Sequence, residues 1–88
     1  MGTRDLRPRL LGEKLKQIRT DFNLSQNELL KNLGFDGTIF QGNISQYELG
    51  RREPPLPVLL SYARLAGISV EVLIDDELLL PTDLSAKN

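Results

Sequence analysis

Cysteine and histidine are both missing from this sequence of 88 residues, and that removes the side chains on which most protein chemistry depends. Without cysteine there is no disulfide framework and no thiolate metal site; without histidine the commonest general base and the usual zinc ligand are gone. Carboxylates and hydroxyls remain, but no Ser/His/Asp set, metal-ligand cluster or phosphate-cradling glycine loop organises them. An enzyme is not expected, nor a bound metal or cofactor. One pair has chemistry that its spacing defines. Ser25 and Glu28 form the S-x-x-E capping box, in which the hydroxyl accepts from the third helical N–H and the carboxylate reaches back to the cap N–H. A helix should start at Gln26.

The cations offer a second kind of chemistry, the pairing with polyanions. Net charge is −1, yet residues 1–19 carry a net +4 and residues 53–88 a net −4. A phosphate backbone would attract the first block and repel the second, orienting the domain on approach. Ordinary surface scatter gives such a distribution too, so charge alone does not decide. The first residues, Met1-Gly2-Thr3-Arg4-Asp5, lack the apolar run of a signal peptide, and Leu6 stands where a myristoylation signal wants Ser or Thr. No apolar stretch approaches the roughly 20 residues needed to cross a bilayer. A single cytoplasmic domain is expected, with no membrane partner.

Periodicity supplies five helices. In the first, from about Leu10 to Asp21, Leu11, Leu15, Ile18 and Phe22 form an apolar stripe, with Glu13, Lys14, Lys16 and Gln17 on the wet side. Asn23 breaks it. The second runs from Gln26 to about Leu33, burying Leu29, Leu30 and Leu33, and Gly34 stops it. After a turn marked by Asp36-Gly37, a third helix ends near Leu49, with Ile44 and Tyr47 inward and Gly50 and Pro54 closing it. Pro57 suits the first position of a fourth helix, which presents Leu59, Ala63 and Ala66 on one face and stops at Gly67. Ser69 then caps a short fifth helix from Val70 to about Ile74, adding Val70 and Leu73 to the core. The segment from Asp75 is acidic, then apolar at Leu78-Leu79-Leu80, and the last seven residues read as a disordered tail. The divisions are a basic arm over 1–9, a helical domain over 10–77 and a tail over 78–88 that could form a dimer contact.

Three motifs now stand in order: Leu24-Ser25-Gln26-Asn27-Glu28-Leu29, then Ile44-Ser45-Gln46-Tyr47-Glu48-Leu49-Gly50-Arg51-Arg52-Glu53-Pro54, then Leu59-Leu60 through Ala63-Arg64 and Gly67-Ile68-Ser69-Val70 to Leu73. The chain resembles the phage-repressor-like helix-turn-helix family, often called XRE, from about Leu11 to Ile74. The resemblance implies an all-α fold, a five-helix lambda-repressor-like DNA-binding domain. It also implies docking with the third helix in the major groove of double-stranded DNA and the second crossing above it. On that docking mode Gln41, Gly42, Asn43 and Gln46 face base edges, where an amide can donate and accept at once as adenine requires. Gln26 would touch a phosphate and brace Gln41, Ser45 would bond the backbone or a phosphate, and Arg51 and Arg52 would meet phosphates. The resemblance further implies a partly buried ion pair between Arg19 and Glu48, which is structural. Between Gly34 and Ile44 the chain is about four residues longer than the family's usual spacing, with the excess around Asp36 to Phe40 in the turn that sets the angle between the two helices.

The function this implies is sequence-specific DNA binding by a repressor-like transcriptional regulator acting as a homodimer, since one half-site seldom gives enough affinity. A second reading uses the same fold as an antitoxin-like interaction module. There, Ile74, Leu78 to Leu80 and the acidic segment from Asp75 to Asp83 would order on a partner protein.

Overall fold

The computed structural model describes residues 6–82 and 84, and in it the chain forms helices α1 (Leu11–Asp21), α2 (Gln26–Leu33), α3 (Gln41–Glu48), α4 (Leu56–Ala66) and α5 (Val70–Ile74), with no strand among the described residues. Of the basic arm and the tail, Arg4, Asp83 and Lys87 lie outside the described residues.

One device ends the first four helices. Asn23, Gly34, Gly50 and Gly67 have φ of 60°, 82°, 74° and 68°. The N–H of the following residue then reaches back five positions: Leu24 to the Arg19 carbonyl (3.1 Å), Phe35 to Leu30 (3.1 Å), Arg51 to Gln46 (3.0 Å) and Ile68 to Ala63 (3.0 Å). This is the Schellman arrangement, which satisfies carbonyls that the helix leaves without partners. Leu24, Phe35 and Ile68 are apolar and lean on the core. After α3 the same position holds Arg51, which is exposed.

Helix starts are less uniform. The capping box forms at α2, with Ser25 Oγ accepting from Glu28 N–H at 3.1 Å and Glu28 Oε1 accepting from Ser25 N–H at 2.8 Å. Leu56, not Pro57, leads α4, and Pro57 takes the second position. The ring is tolerated there because that N–H would also lack an intrahelical acceptor. Ser69 makes no side-chain cap at α5; its carbonyl accepts from Val72 N–H at 3.1 Å instead.

The core joins Leu11, Leu15 and Ile18 of α1 to Leu29, Leu30 and Leu33 of α2, Ile44 and Tyr47 of α3, and Val58, Leu59, Tyr62, Ala63 and Ala66 of α4, with Leu73 of α5 below. Full burial of each such Leu or Ile contributes about 1.5–3 kcal/mol. Helix α1 lies against α3, α4 and α5, so it is the central post of the bundle. Its approach to α3 requires Gly12. A Cβ there would stand 2.7 Å from the Glu48 carbonyl oxygen and 2.9 Å from that of Tyr47.

Two expectations fail where distant segments meet. Lys14 is not on the wet side: only 5% exposed, its Nζ donates to the carbonyls of Val72 (2.8 Å) and Asp75 (2.9 Å). A buried ammonium needs such acceptors, and the C-terminal end of α5 provides them. Nor is the C-terminal stretch wholly a solvated tail. Leu84 is fully buried in the core and Leu80 packs against it. Asp76 clasps the other terminus, its carboxylate accepting from the N–H groups of Arg9 (2.9 Å) and Leu10 (3.0 Å). Those two donors hold its carboxyl below the usual range, the Leu10 N–H most of all.

Candidate nucleic-acid interface

The long turn before α3 decides whether the third helix can present a defined face. Residues 35–39 fold into a closed turn in which the N–H groups of Thr38 and Ile39 both donate to the Phe35 carbonyl at 2.9 Å, with Gly37 at φ 89°. Ile39 is buried and Phe35 half-buried, so both ends of the insertion are fastened to the core. Helix α3 therefore begins firmly at Gln41. Its start is tied by Asn43, whose Oδ1 accepts from the Phe40 N–H at 3.0 Å while its own N–H donates to the Phe40 carbonyl at 2.9 Å.

With Ile44 and Tyr47 turned inward, helical geometry sends Gln41, Gly42, Ser45, Gln46 and Leu49 outward. Gln41, Gly42 and Leu49 are exposed, and Ser45 and Gln46 half-buried. A side chain at Gly42 would meet nothing within 4 Å. Asn43 lies at the edge of this face with its carbonyl oxygen bonded to the helix start, which leaves its NH2 group and one oxygen lone pair for another partner.

The second helix braces the third through residues adjacent to the expected one. Gln26 does not support Gln41. Its Nε2 lies 3.4 Å from Glu48 Oε1, and the neighbour of Gln41 Oε1 is Asn27 Nδ2, also at 3.4 Å. The crossing of α2 over α3 brings position 27 above the first turn of α3 and position 26 above its last, a geometry that spacing along the chain does not contain. At the start of α3 only the return half of a capping box forms, from Asn43 to the Phe40 N–H, because phenylalanine has no side-chain acceptor to complete it.

Behind the face, Arg19 and Glu48 meet across α1 and α3. Arg19 Nε donates to Glu48 Oε2 at 2.6 Å and Nη2 to Oε1 at 3.0 Å, while Nη1 donates to the Leu24 carbonyl at 3.0 Å. The Glu48 side chain is 5% exposed and that of Arg19 16%. The carboxylate's hydrogen bonds push the guanidinium's affinity for its proton further up. Glu48 is thus consumed by the frame and cannot face a ligand. Beyond Gly50, the exposed Arg51 and Arg52 are pinned at the end of α3, with both backbone N–H groups donating to the Gln46 carbonyl (3.0 and 3.3 Å). Arg52 also sits close to Tyr47, whose phenol is pushed up by burial and partly restored by that cation.

The arrangement offers two amides and a bare backbone at one end of an exposed helix face and two guanidinium groups at the other. Such a face can bond base edges and neutralise phosphates. Among the described residues no group of three acidic side chains is placed to hold a metal ion, and no helix is long and apolar enough to cross a membrane. No curated protein matches the sequence at a significant level. A family model described as a helix-turn-helix domain does match, over residues 12–79. That span runs from the first turn of α1 past the end of α5, and with it the chain belongs to the helix-turn-helix domain family and carries the architecture of a DNA-binding domain.

Proposed function

We propose that this protein is a sequence-specific DNA-binding regulator of the repressor-like XRE type, acting in the cytoplasm as a homodimer on double-stranded DNA. The observation that carries the reading is the outer face of α3, where Gln41 and Gly42 are exposed, Ser45 and Gln46 are half-buried, and the exposed Arg51 and Arg52 follow at once. Laid in the major groove, Gln41 and Gln46 meet base edges, Gly42 admits close approach of the backbone, and Asn43 offers its NH2 group while holding the helix start. Ser45, Arg51 and Arg52 take phosphates, and Gln26 takes one from the N-terminus of α2.

The C-terminal segment has a divided role. Leu84 is buried in the core and the half-buried Leu80 packs against it, so Leu84 is not available to a second chain. Ile74, Leu78 and Leu79 remain exposed and are the residues we assign to a self-contact or, in the antitoxin-like alternative, to a partner protein. Removing the whole segment would damage the core. The informative variant is Leu79→Ser, which should lower the dimer fraction in sedimentation without unfolding the monomer.

Selection of bound sites from random duplex DNA at one salt concentration tests the reading itself. Wild type should enrich a site, and Gln41→Ala and Gln46→Ala should each lose about 1–3 kcal/mol of discrimination at one base pair with little change in non-specific binding. Equal discrimination in all three proteins would show that α3 does not read bases through these amides. No enrichment at all would remove DNA reading altogether.

A further inference from the structure

Phe40 is 66% exposed, whereas the other aromatic residues are half-buried (Phe22, Phe35) or buried (Tyr47, Tyr62). A single exposed apolar residue is ordinary. The position of this one is not. Phe40 is the N-cap of α3, where Ser, Thr, Asn or Asp would supply a side-chain cap that phenylalanine cannot. The cap is recovered from the opposite direction by Asn43, whose Oδ1 and N–H fix the peptide groups on both sides of Phe40. Its backbone is extended (φ −114°, ψ 164°), and the residue stands directly before Gln41 at the leading end of the exposed face. Next to it opens a hollow of about 330 Å³ bounded by Asn27, Lys31, Asp36, Gly37 and Gln41, so the ring is rimmed by an amide pair, a cation and a carboxylate. An apolar surface fixed in such a place needs an apolar counterpart within a polyanion. In the major groove only thymine provides one, its 5-methyl group.

We propose that Phe40 is a base-contacting residue that reads a thymine methyl group next to the base pair met by Gln41. This rests on the DNA-binding reading above and adds an apolar element to a face otherwise made of amides.

The test uses the site selected by wild type, with each thymine replaced in turn by uracil, which deletes the methyl group and leaves the hydrogen-bonding edge unchanged. Wild type should lose about fourfold in affinity at one position, the value of one methyl group withdrawn from water. Phe40→Ser, which also supplies a cap hydroxyl and so keeps the helix start, should show no uracil penalty at that position and retain the penalties elsewhere. Phe40→Leu should keep the penalty. The same uracil profile in wild type and Phe40→Ser would overturn the proposal while leaving DNA reading intact. If wild type enriches no site, the DNA-binding reading fails and this one falls with it.

Discussion

Two glycines in the helices should respond to the same substitution with opposite signs, and the difference measures how closely α1 approaches the reading helix. Placing alanine in a helix in place of glycine contributes about 1 kcal/mol of stability through reduced backbone freedom in the unfolded chain. At Gly42 nothing stands within 4 Å of the added methyl, so Gly42→Ala should gain about 0.5–1 kcal/mol. At Gly12 the methyl meets the carbonyl oxygens of Glu48 and Tyr47 at 2.7 and 2.9 Å and the Gly50 nitrogen at 3.1 Å. All three are backbone atoms at the end of α3 and cannot rotate aside. Overpacking costs typically 1–3 kcal/mol, and against immovable backbone the upper value applies, so after the helical gain Gly12→Ala should lose about 2 kcal/mol. For a domain of this size that is a fall in melting temperature of roughly 8–16 °C, and in urea a midpoint lower by about 1–2 M. Thermal and urea melts of both variants decide the matter. A Gly12→Ala protein as stable as wild type would refute the close packing of α1 on α3. A destabilised Gly42→Ala protein would refute the open surface at the start of the reading helix.

Removing one partner of the Arg19–Glu48 pair should cost more than replacing both with apolar residues. The larger loss, about 3–5 kcal/mol, belongs to Arg19→Ala, because Glu48 is the more buried of the two and would be stranded; singles costing under about 0.5 kcal/mol in a denaturant series would refute it. Replacing Arg51 and Arg52 with alanine should weaken binding to all sequences and flatten the plot of log K against log salt by about 0.9 for each lost phosphate contact; an unchanged slope would place both outside the interface. The carboxyls of Asp76 and Glu28 are held low by hydrogen bonds, to Leu10 and Arg9 and to Ser25 respectively. Their stabilising effect is therefore present above the usual carboxylate range and lost as pH falls through it, from about pH 5 downward. Asp76→Asn should flatten that acid limb in urea midpoints measured from about pH 6 to about pH 3; an unaltered limb would show that the clasp on Arg9 and Leu10 does not form in solution.

The sequence by itself determined whatever depends on residues within one or two turns of each other. Ser25 and Glu28, the stops at Asn23, Gly34, Gly50 and Gly67, the apolar stripes of α1 to α3 and the Leu59, Ala63 and Ala66 part of α4 are local conditions, set by backbone conformation and helical period, and they are written in adjacent letters. The burial of Val58 and Tyr62 was not read from them. Tertiary structure alone decided where segments far apart along the chain touch. Lys14 belongs by spacing to the wet side of α1, yet it is buried because α5 brings two carbonyls to it across 58 and 61 positions. Asp76 looks like one acid in an acidic run until it receives the N–H groups of Arg9 and Leu10. Gly12 carries no mark in a helical pattern, because its role is set by the backbone of α3. The choice of Asn27 over Gln26 as the neighbour of Gln41 depends on a crossing angle between helices, which periodicity does not encode. Local propensity is a property of each segment alone, whereas a buried ammonium or a bare helix contact is defined by its partner, and the partner's position exists only once the chain has folded.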